Sequence, residues 1–188
     1  MSRVVLSVAS VLGLAICAST SLGQQTALDL DDRPVDPLQT ASHKVVVLVF
    51  VRTDCPISNR YAPTIQKLSA AYTGRAEFWL VYPDKAESAA GIRKYLQDYG
   101  YKLPALRDTG HSLVKRSGAQ ITPEAAVFDR TGRLTYHGRI DDWFYAFGRA
   151  RSAPTTHELD DAILAALAGH HPVVATANGV GCYISDLQ

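Results

Sequence analysis

Two cysteines of this chain, Cys55 and Cys182, are the residues on which nucleophilic or redox chemistry would depend. Cys55 follows a continuous apolar, β-branched run at 44–51 and precedes apolar residues at helical spacing. A cysteine at the start of a helix lies near unpaired backbone N–H groups and the positive end of the helix dipole, and both favour its thiolate. This position predicts a reactive Cys55, with a buried, inert thiol as the alternative.

The residues on either side of Cys55 adjust the predicted thiolate. Pro56 suits the first helical turn, where a missing N–H leaves no hydrogen bond unmade. Ser58 follows three residues after the cysteine and can offer its hydroxyl to the sulfur. The charge of Arg52 favours the thiolate, and the charge of Asp54 opposes it. We therefore assign Arg52 and Ser58 as the residues that tune the site.

Cys182, next to Gly181 near the carboxyl end, is the candidate resolving thiol. In one interpretation the end of the chain folds back, and Cys182 attacks an oxidised or substrate-bound Cys55. In a second, the two cysteines form a permanent disulfide, whose long loop stabilises the fold by ~5 kcal/mol. Pairing of Cys182 between two chains and a free thiol are the further alternatives.

The elements that must position these cysteines alternate between strands and helices. The expected strands lie at 44–51, 76–82 and 103–106, with a hairpin formed by 124–128 and 133–138. The expected helices lie at 57–72, 86–99, 110–117 and from Thr155 or Thr156 to 168. This order indicates an α/β sandwich.

The amino terminus resembles a secretory signal. Arg3 precedes an apolar run at 4–17, which is shorter than the ~20 residues of a membrane-spanning helix, and small residues follow at 18–23. We expect an exported protein, periplasmic or secreted, with no stable membrane span after cleavage. A retained anchor and lipoprotein modification at Cys17 are alternatives. The chain then divides into a signal peptide (1–23), a polar lead-in (24–42), one domain (43–170) and a tail (171–188) that carries Cys182.

Composition excludes several classes of function. Lys and Arg total 19 and Asp and Glu total 18, for a net charge of +1, so no basic footprint for nucleic acid is present. Three cysteines are too few for a disulfide-stapled scaffold. His137, His170 and His171 have no ligand spacing to Cys55, so neither a metal nor another cofactor is expected.

The motifs around both cysteines resemble those of the thioredoxin-like superfamily, and in particular exported bacterial redoxin-domain proteins related to the AhpC/TSA group. The matching segments are Cys55-Pro56-Ile57-Ser58, Ala62-Pro63, Ile121-Thr122-Pro123, Val127-Phe128-Asp129 with Gly132, and Gly181-Cys182-x-Ile184. The resemblance extends over roughly residues 40–170, with the last motif in the tail.

This resemblance implies an α/β thioredoxin-like sandwich, with a central mixed sheet flanked by helices. It also implies thiol–disulfide oxidoreductase activity with Cys55 as nucleophile. It implies a cis bond before Pro123 and a substrate groove lined by Pro56, Thr122 and Pro123, where the backbone of Thr122 pairs with a bound peptide. Ser58 stands where thioredoxins have their second cysteine. A complete cycle therefore needs a resolving thiol from elsewhere in the chain or from outside it.

Other positions depart from the relatives. Val49 stands where thioredoxins carry a buried carboxylate, and Asp54 stands where they carry tryptophan. Leu48 and Arg52 stand where peroxiredoxins have the proline and threonine of their peroxidatic motif. Peroxide reduction at Cys55 and a redox-inactive binding module are the two alternative functions.

The expected partners are protein thiols and disulfides, or a small thiol reductant. A second surface feature is an aromatic segment that follows the predicted hairpin and contains Trp143, Phe144, Tyr145 and Phe147. These rings either dock a partner protein or cover the sheet edge and the rim of the site.

Overall fold

The computed structural model describes residues 26–40, 43–185 and 187. The predicted signal peptide at 1–23, with Cys17, lies outside the described residues. The helices are α1 Pro37–Thr40, α2 Pro56–Ala71, α3 Ala89–Asp98, α4 Ser112–Ser117 and α5 Glu158–Ala168. The last four lie at the predicted helical segments, and α1 lies in the predicted lead-in.

Most of the strands in the described residues form one central sheet. The strands are β1 Val45–Phe50, β2 Ala76–Tyr82, β3 Ala105–Arg107, β4 Ile121–Thr122, β5 Glu124–Phe128, β6 Leu134–Gly138, β7 Phe144–Ala146, β8 Arg149–Ala150, β9 Thr176–Ala177 and β10 Cys182–Tyr183. The central sheet has the order β3-β2-β1-β5-β6-β9, while β4 pairs with β10 and β7 with β8. Because β1 runs parallel to β2 and antiparallel to β5, the sheet is mixed, as predicted.

Strand β1 crosses the middle of the molecule, and all six of its residues are buried. Successive side chains of a strand point to opposite faces, so β1 belongs to two separate apolar clusters. Val47 and Val49 share one cluster with Ile65 of α2 and Ile163 of α5. Leu48 belongs to the other, on the face that α4 covers. A strand buried on both faces fixes where its carboxyl end, and the residues that follow it, must lie.

Both segments outside the predicted domain take part in the fold. In the lead-in, the amide of Leu28 donates to the carbonyl of Arg107 at 3.0 Å, and the reverse bond measures 2.7 Å. In the tail, β9 extends the central sheet beside β6, and β10 pairs with β4. Neither β9 nor β10 has a local sequence signal, because a strand of two residues contains no measurable period.

Candidate functional site

Cys55 lies at the junction of β1 and α2, at the carboxyl edge of the central sheet. It is the N-cap residue of α2 with extended backbone angles (φ −83°, ψ 111°), and Pro56 takes the first helical position. The amide of Asn59 donates to the Cys55 carbonyl at 3.0 Å, which begins the helical hydrogen bonding. The side chain of Cys55 is fully buried. The cysteine therefore lies where the sequence places it, but it is covered.

The loop that ends at Pro123 lies against the sulfur of Cys55. The Thr122–Pro123 bond is cis, as the resemblance implies, and the Cys55 thiol donates a hydrogen bond to the carbonyl oxygen of Thr122 at 3.1 Å. Thr122 and Pro123 are buried, whereas Pro56 is exposed. Of the three residues assigned to a substrate groove, Thr122 contacts the sulfur through its carbonyl, Pro123 follows it in the loop, and Pro56 follows Cys55 in the chain.

The tail covers this loop and Cys55. Strand β10 is antiparallel to β4, with Cys182 directly opposite Thr122. The amide of Ile184 donates to the carbonyl of Gln120 at 2.9 Å, and the side chain of Ile184 is buried in the second apolar cluster. The tail therefore takes the backbone edge of Thr122 that the resemblance assigns to a bound peptide.

Two glycines allow the tail to approach the domain so closely. A Cβ atom at Gly181 would overlap the carbonyl oxygen of Thr122. A Cβ atom at Gly138, whose φ is +148°, would overlap the backbone of Ala177 in β9. Both strands of the tail thus depend on a missing side chain where they meet the domain.

The fold brings the two predicted site cysteines together. The Sγ atoms of Cys55 and Cys182 are 2.8 Å apart, and both residues are free thiols. A disulfide bond would require the sulfurs to approach by less than about 1 Å. This geometry suits thiol–disulfide exchange within one chain.

The surroundings move the pKa values of the two thiols in opposite directions. Burial raises the pKa of Cys55, but hydrogen bonds from the Cys182 thiol, from Ser58 and from the amide of Ile57 bring it below its ordinary value. Burial, the hydrogen bond to Cys55 and the charge there together raise the pKa of Cys182 to about 12. Cys55 is therefore the first of the two to ionise. Its neutral thiol donates to the Thr122 carbonyl, and its thiolate would accept the hydrogen bond of the protonated Cys182.

The two residues assigned to tune the thiolate affect different cysteines. The guanidinium of Arg52 is 2.9 Å from a carboxylate oxygen of Asp54 and 3.0 Å from one of Asp84. Its positive charge also lowers the pKa of Cys182. Ser58 is fully buried and lowers the pKa of Cys55 through both its amide and its hydroxyl. Arg52 therefore acts on the tail cysteine, and Ser58 acts on the cysteine of the domain.

The aromatic segment contains both buried and exposed rings. Phe144 is buried and Trp143 is half-buried, and both pack on Tyr61 of α2, with ring centroids 5.7 and 5.5 Å away. Tyr145 and Phe147 are 54% and 66% exposed. The first two rings therefore cover α2, and the last two face solvent.

Two glutamates that the sequence does not mark hold the loops of the site. One carboxylate oxygen of Glu124 accepts from the amides of Gln120 and Ile121 at 2.9 and 3.2 Å. Glu87 accepts from the amide of Thr53 at 2.7 Å, two residues before the nucleophilic position. A single glutamate has no periodic signal; the one available hint is that Glu124 begins an otherwise apolar strand.

Neither a metal centre nor a membrane helix is found in the part of the chain that the structure describes. No group of three or more His, Cys, Asp or Glu is placed there to hold a metal ion, and His137 instead lies 3.3 Å from Glu124. No helix among the same residues is long and apolar enough to cross a membrane.

Comparison with known sequences gives one family match. Residues 18–142 match the family model described as Redoxin. This match spans both the Cys55 junction and the Thr122–Pro123 loop, but it ends before the tail. No protein of curated function matches the chain in sequence.

Comparison with solved structures gives the fold. An uncharacterized conserved protein from Geobacillus kaustophilus has 24% identity and a TM-score of 0.70, over 85% of this chain and 86% of that chain. The exposed lipoprotein thioredoxin of Streptococcus pneumoniae has 22% identity and a TM-score of 0.55, over 76% and 96%. A secreted Mycobacterium tuberculosis disulfide oxidoreductase homologous to E. coli DsbE has 19% identity and a TM-score of 0.52, over 78% and 96%. At these identities the likeness establishes a thioredoxin-like fold.

Proposed function

This chain belongs to the redoxin family, and from that premise we propose that it is an exported thiol–disulfide oxidoreductase with Cys55 as nucleophile and Cys182 as resolving thiol. One observation carries the proposal: the pairing of β10 with β4 holds the Sγ atom of Cys182 2.8 Å from that of Cys55. A Cys-x-x-Ser site lacks an adjacent resolving thiol, and the tail supplies one.

The proposed cycle is an exchange of disulfide bonds. The Cys55 thiolate attacks a substrate disulfide, forms a mixed disulfide with one substrate sulfur and releases the other as a thiolate. The thiolate of Cys182 then attacks the sulfur of Cys55 and expels the remaining substrate thiolate. The substrate gains two electrons, the protein holds a Cys55–Cys182 disulfide, and external thiols return it to the reduced state.

Cys55 suits the first step because its lowered pKa provides the thiolate that reacts. Ser58 is proposed to stabilise that thiolate, and Arg52 to favour ionisation of Cys182. Because Cys55 is fully buried beneath β10, the tail must leave β4 before a substrate disulfide can reach it. Pro56, Thr122 and Pro123 would then line the groove that opens.

The proposed partners are proteins with reactive thiols or disulfides, and a small thiol reductant. Tyr145 and Phe147 are the rings available to contact a partner protein, since Trp143 and Phe144 are packed against α2. The secretory signal read at 1–23 supports export. A mature amino terminus near residue 24 in protein isolated from its source would agree with export, and an intact residue 1 would argue against cleavage.

Intact mass and peptide mapping, before and after treatment with a reductant, test the proposed couple. We expect a reducible Cys55–Cys182 link with a reduction potential above the ~−300 mV below which structural disulfides lie. A link with a lower potential would instead be a permanent structural disulfide. If both thiols stay free after treatment with an oxidant, Cys182 is not the resolving thiol.

The variant Cys182→Ser tests the order of the two thiols. We expect it to react with a disulfide substrate and then stop, with the mixed disulfide retained on Cys55. Tyr183→Ala is the matched control, because it changes the exposed residue next to Cys182 and leaves both sulfurs, so it should turn over. If Cys55 of the wild type forms sulfenic acid rapidly with hydrogen peroxide and exchanges no disulfide, the activity is peroxide reduction instead.

A further inference from the structure

We propose that external thiols reduce the Cys55–Cys182 disulfide by attacking the sulfur of Cys182 while the tail stays on β4, and that low-molecular-weight thiols are the reductants this form accepts. The inference rests on the proposed function, because it presupposes the disulfide. It identifies which sulfur the reductant attacks, and which class of reductant attacks it, in the half-reaction that restores the two thiols.

Access to the two sulfurs is unequal. A thiolate attacks a disulfide in line with the bond that breaks, so it must approach each sulfur from the side opposite its partner. For Cys55 that side is the protein interior, since its side chain is fully buried in a cluster with Val51, Ile57 and Tyr95. Cys182 is only partly buried, and the next residue, Tyr183, is 80% exposed. Solvent therefore reaches part of Cys182 and none of Cys55.

The identity of the leaving group favours the same direction. Thiol–disulfide exchange is faster when the departing thiol has the lower pKa. Attack on Cys182 expels Cys55. Burial raises the pKa of this thiol, but the hydrogen bonds from Ser58 and from the amide of Ile57, which lower it, stay in place when Cys182 is bound to the attacking thiol. Attack on Cys55 would expel Cys182, whose pKa burial raises.

The two steps balance in atoms and electrons. A first thiolate RS⁻ bonds to the sulfur of Cys182, the disulfide bond breaks, and Cys55 leaves as a thiolate. A second RS⁻ then attacks the sulfur of R on this mixed disulfide, releases RS–SR and leaves Cys182 as a thiolate that takes a proton from water. Two external thiols are oxidised, and the protein disulfide gains two electrons.

The docked tail determines the class of reductant. A polypeptide thiol would gain affinity by pairing its backbone with the edge of Thr122, but β10 already occupies that edge. Gly181 and the buried side chain of Ile184 bring the tail against the loop, which leaves no space for a further strand between them. A small thiol needs no backbone pairing to reach Cys182.

The oxidised full chain treated briefly with glutathione, then quenched with acid and alkylated with N-ethylmaleimide, reports the site of attack by peptide mapping. We expect glutathione on Cys182 and N-ethylmaleimide on Cys55, in excess over the opposite pattern by about tenfold or more. A majority of glutathione on Cys55 would overturn the inference and leave the proposed function intact. If oxidation produces no Cys55–Cys182 link, the proposed function fails and the inference fails with it.

A second measurement tests the class of reductant. At equal thiol concentration and pH, we expect an extended peptide that carries one cysteine to reduce the disulfide no faster than glutathione. A rate about tenfold higher for the peptide would show that backbone pairing contributes, and would overturn this part of the inference. Tyr183→Ala serves as the control, because it changes an exposed side chain of the tail and should preserve the order of the two rates.

Discussion

Thr122 lies directly opposite Cys182 in the pairing of β4 with β10, and its carbonyl oxygen accepts the hydrogen bond of the Cys55 thiol at 3.1 Å. One residue therefore contacts both cysteine-bearing segments. The backbone at this position, beside a cis bond to Pro123, sets how far the tail cysteine lies from the domain cysteine. The distance between the two cysteines thus depends on the contacts that hold the loop and the tail. Each of these contacts can be changed by a separate substitution.

Replacing Gly181 with valine should separate the tail from the site. Its Cβ atom would overlap the carbonyl oxygen of Thr122, so β10 cannot keep its place on β4. We expect alkylation of Cys55 by iodoacetamide in the reduced protein to accelerate by about tenfold or more, since access limits the rate in the wild type. Tyr183→Ala, in the same strand but exposed, should leave the rate near that of the wild type. An unchanged rate in Gly181→Val would mean that β10 does not limit access.

Replacing Ser58 with alanine should raise the pKa of Cys55. The Ser58 hydroxyl is one of the groups that lower the pKa of this thiol, and its loss leaves the penalty of burial less compensated. The pH profile of Cys55 alkylation should therefore move to higher pH. Ser69→Ala is the control, since the hydroxyl of Ser69 bonds to the carbonyl of Gln66 further along α2. A profile that does not move would exclude Ser58 as a tuning residue.

Replacing Glu124 with alanine should destabilise the fold through the loop before Pro123. The part-buried amides of Gln120 and Ile121 would lose their acceptor, and the loss of each such hydrogen bond costs ~1 kcal/mol. Chemical denaturation of the reduced protein measures the change in the free energy of unfolding. The control is Asp98→Ala, which breaks an exposed helical ion pair with Lys94 and should cost only ~0.3–0.5 kcal/mol. Equal losses in the two variants would contradict a structural role for Glu124.

Replacing Glu87 with glutamine should change how stability depends on pH. Burial raises the pKa of Glu87, so its neutral form favours the folded state; that stabilisation is complete below the unfolded pKa of ~4.3 and is lost as pH rises through the folded pKa. Glutamine stays neutral and keeps an oxygen for the amide of Thr53. The variant and the wild type should therefore be similarly stable in acid.

At neutral pH the Glu87→Gln variant should be the more stable of the two, because the wild type must ionise a carboxyl group that its surroundings disfavour. Denaturation midpoints measured at both pH values give the comparison. Asp98→Asn, which also removes one negative charge but at an exposed site, is the matched control. A Glu87→Gln variant that is less stable at neutral pH would mean that the charge itself holds the amide of Thr53.

The junction that bears Cys55 was predictable because its signals are local. A β-branched run, an N1 proline and apolar residues at helical spacing each act over a few neighbouring positions, and β1, Cys55 and α2 lie as expected. The cis bond before Pro123 followed from resemblance to a family, since a Thr-Pro dipeptide alone does not select the cis form.

The tail and the supporting glutamates were not predictable in the same way. Strands β9 and β10 have two residues each, and they form because partner strands more than 35 residues away in the chain offer free backbone edges. The close backbone contacts that require glycine at Gly138 and Gly181 can be recognised only once those partner strands are known. Glu87 and Glu124 likewise serve amides of the folded loops, which no pattern in the sequence marks.

The addition of β9 to the central sheet gives Cys182 a short tether. Ala177 is held beside Gly138, so a tail that leaves β4 can carry Cys182 no further than about 17 Å from that anchor, the length of five extended residues. A thiol confined to so small a volume has an effective concentration of the order of millimolar. Resolution by Cys182 would then outcompete dilute external thiols even when the tail is undocked, and the oxidised state of the pair would be set within one chain.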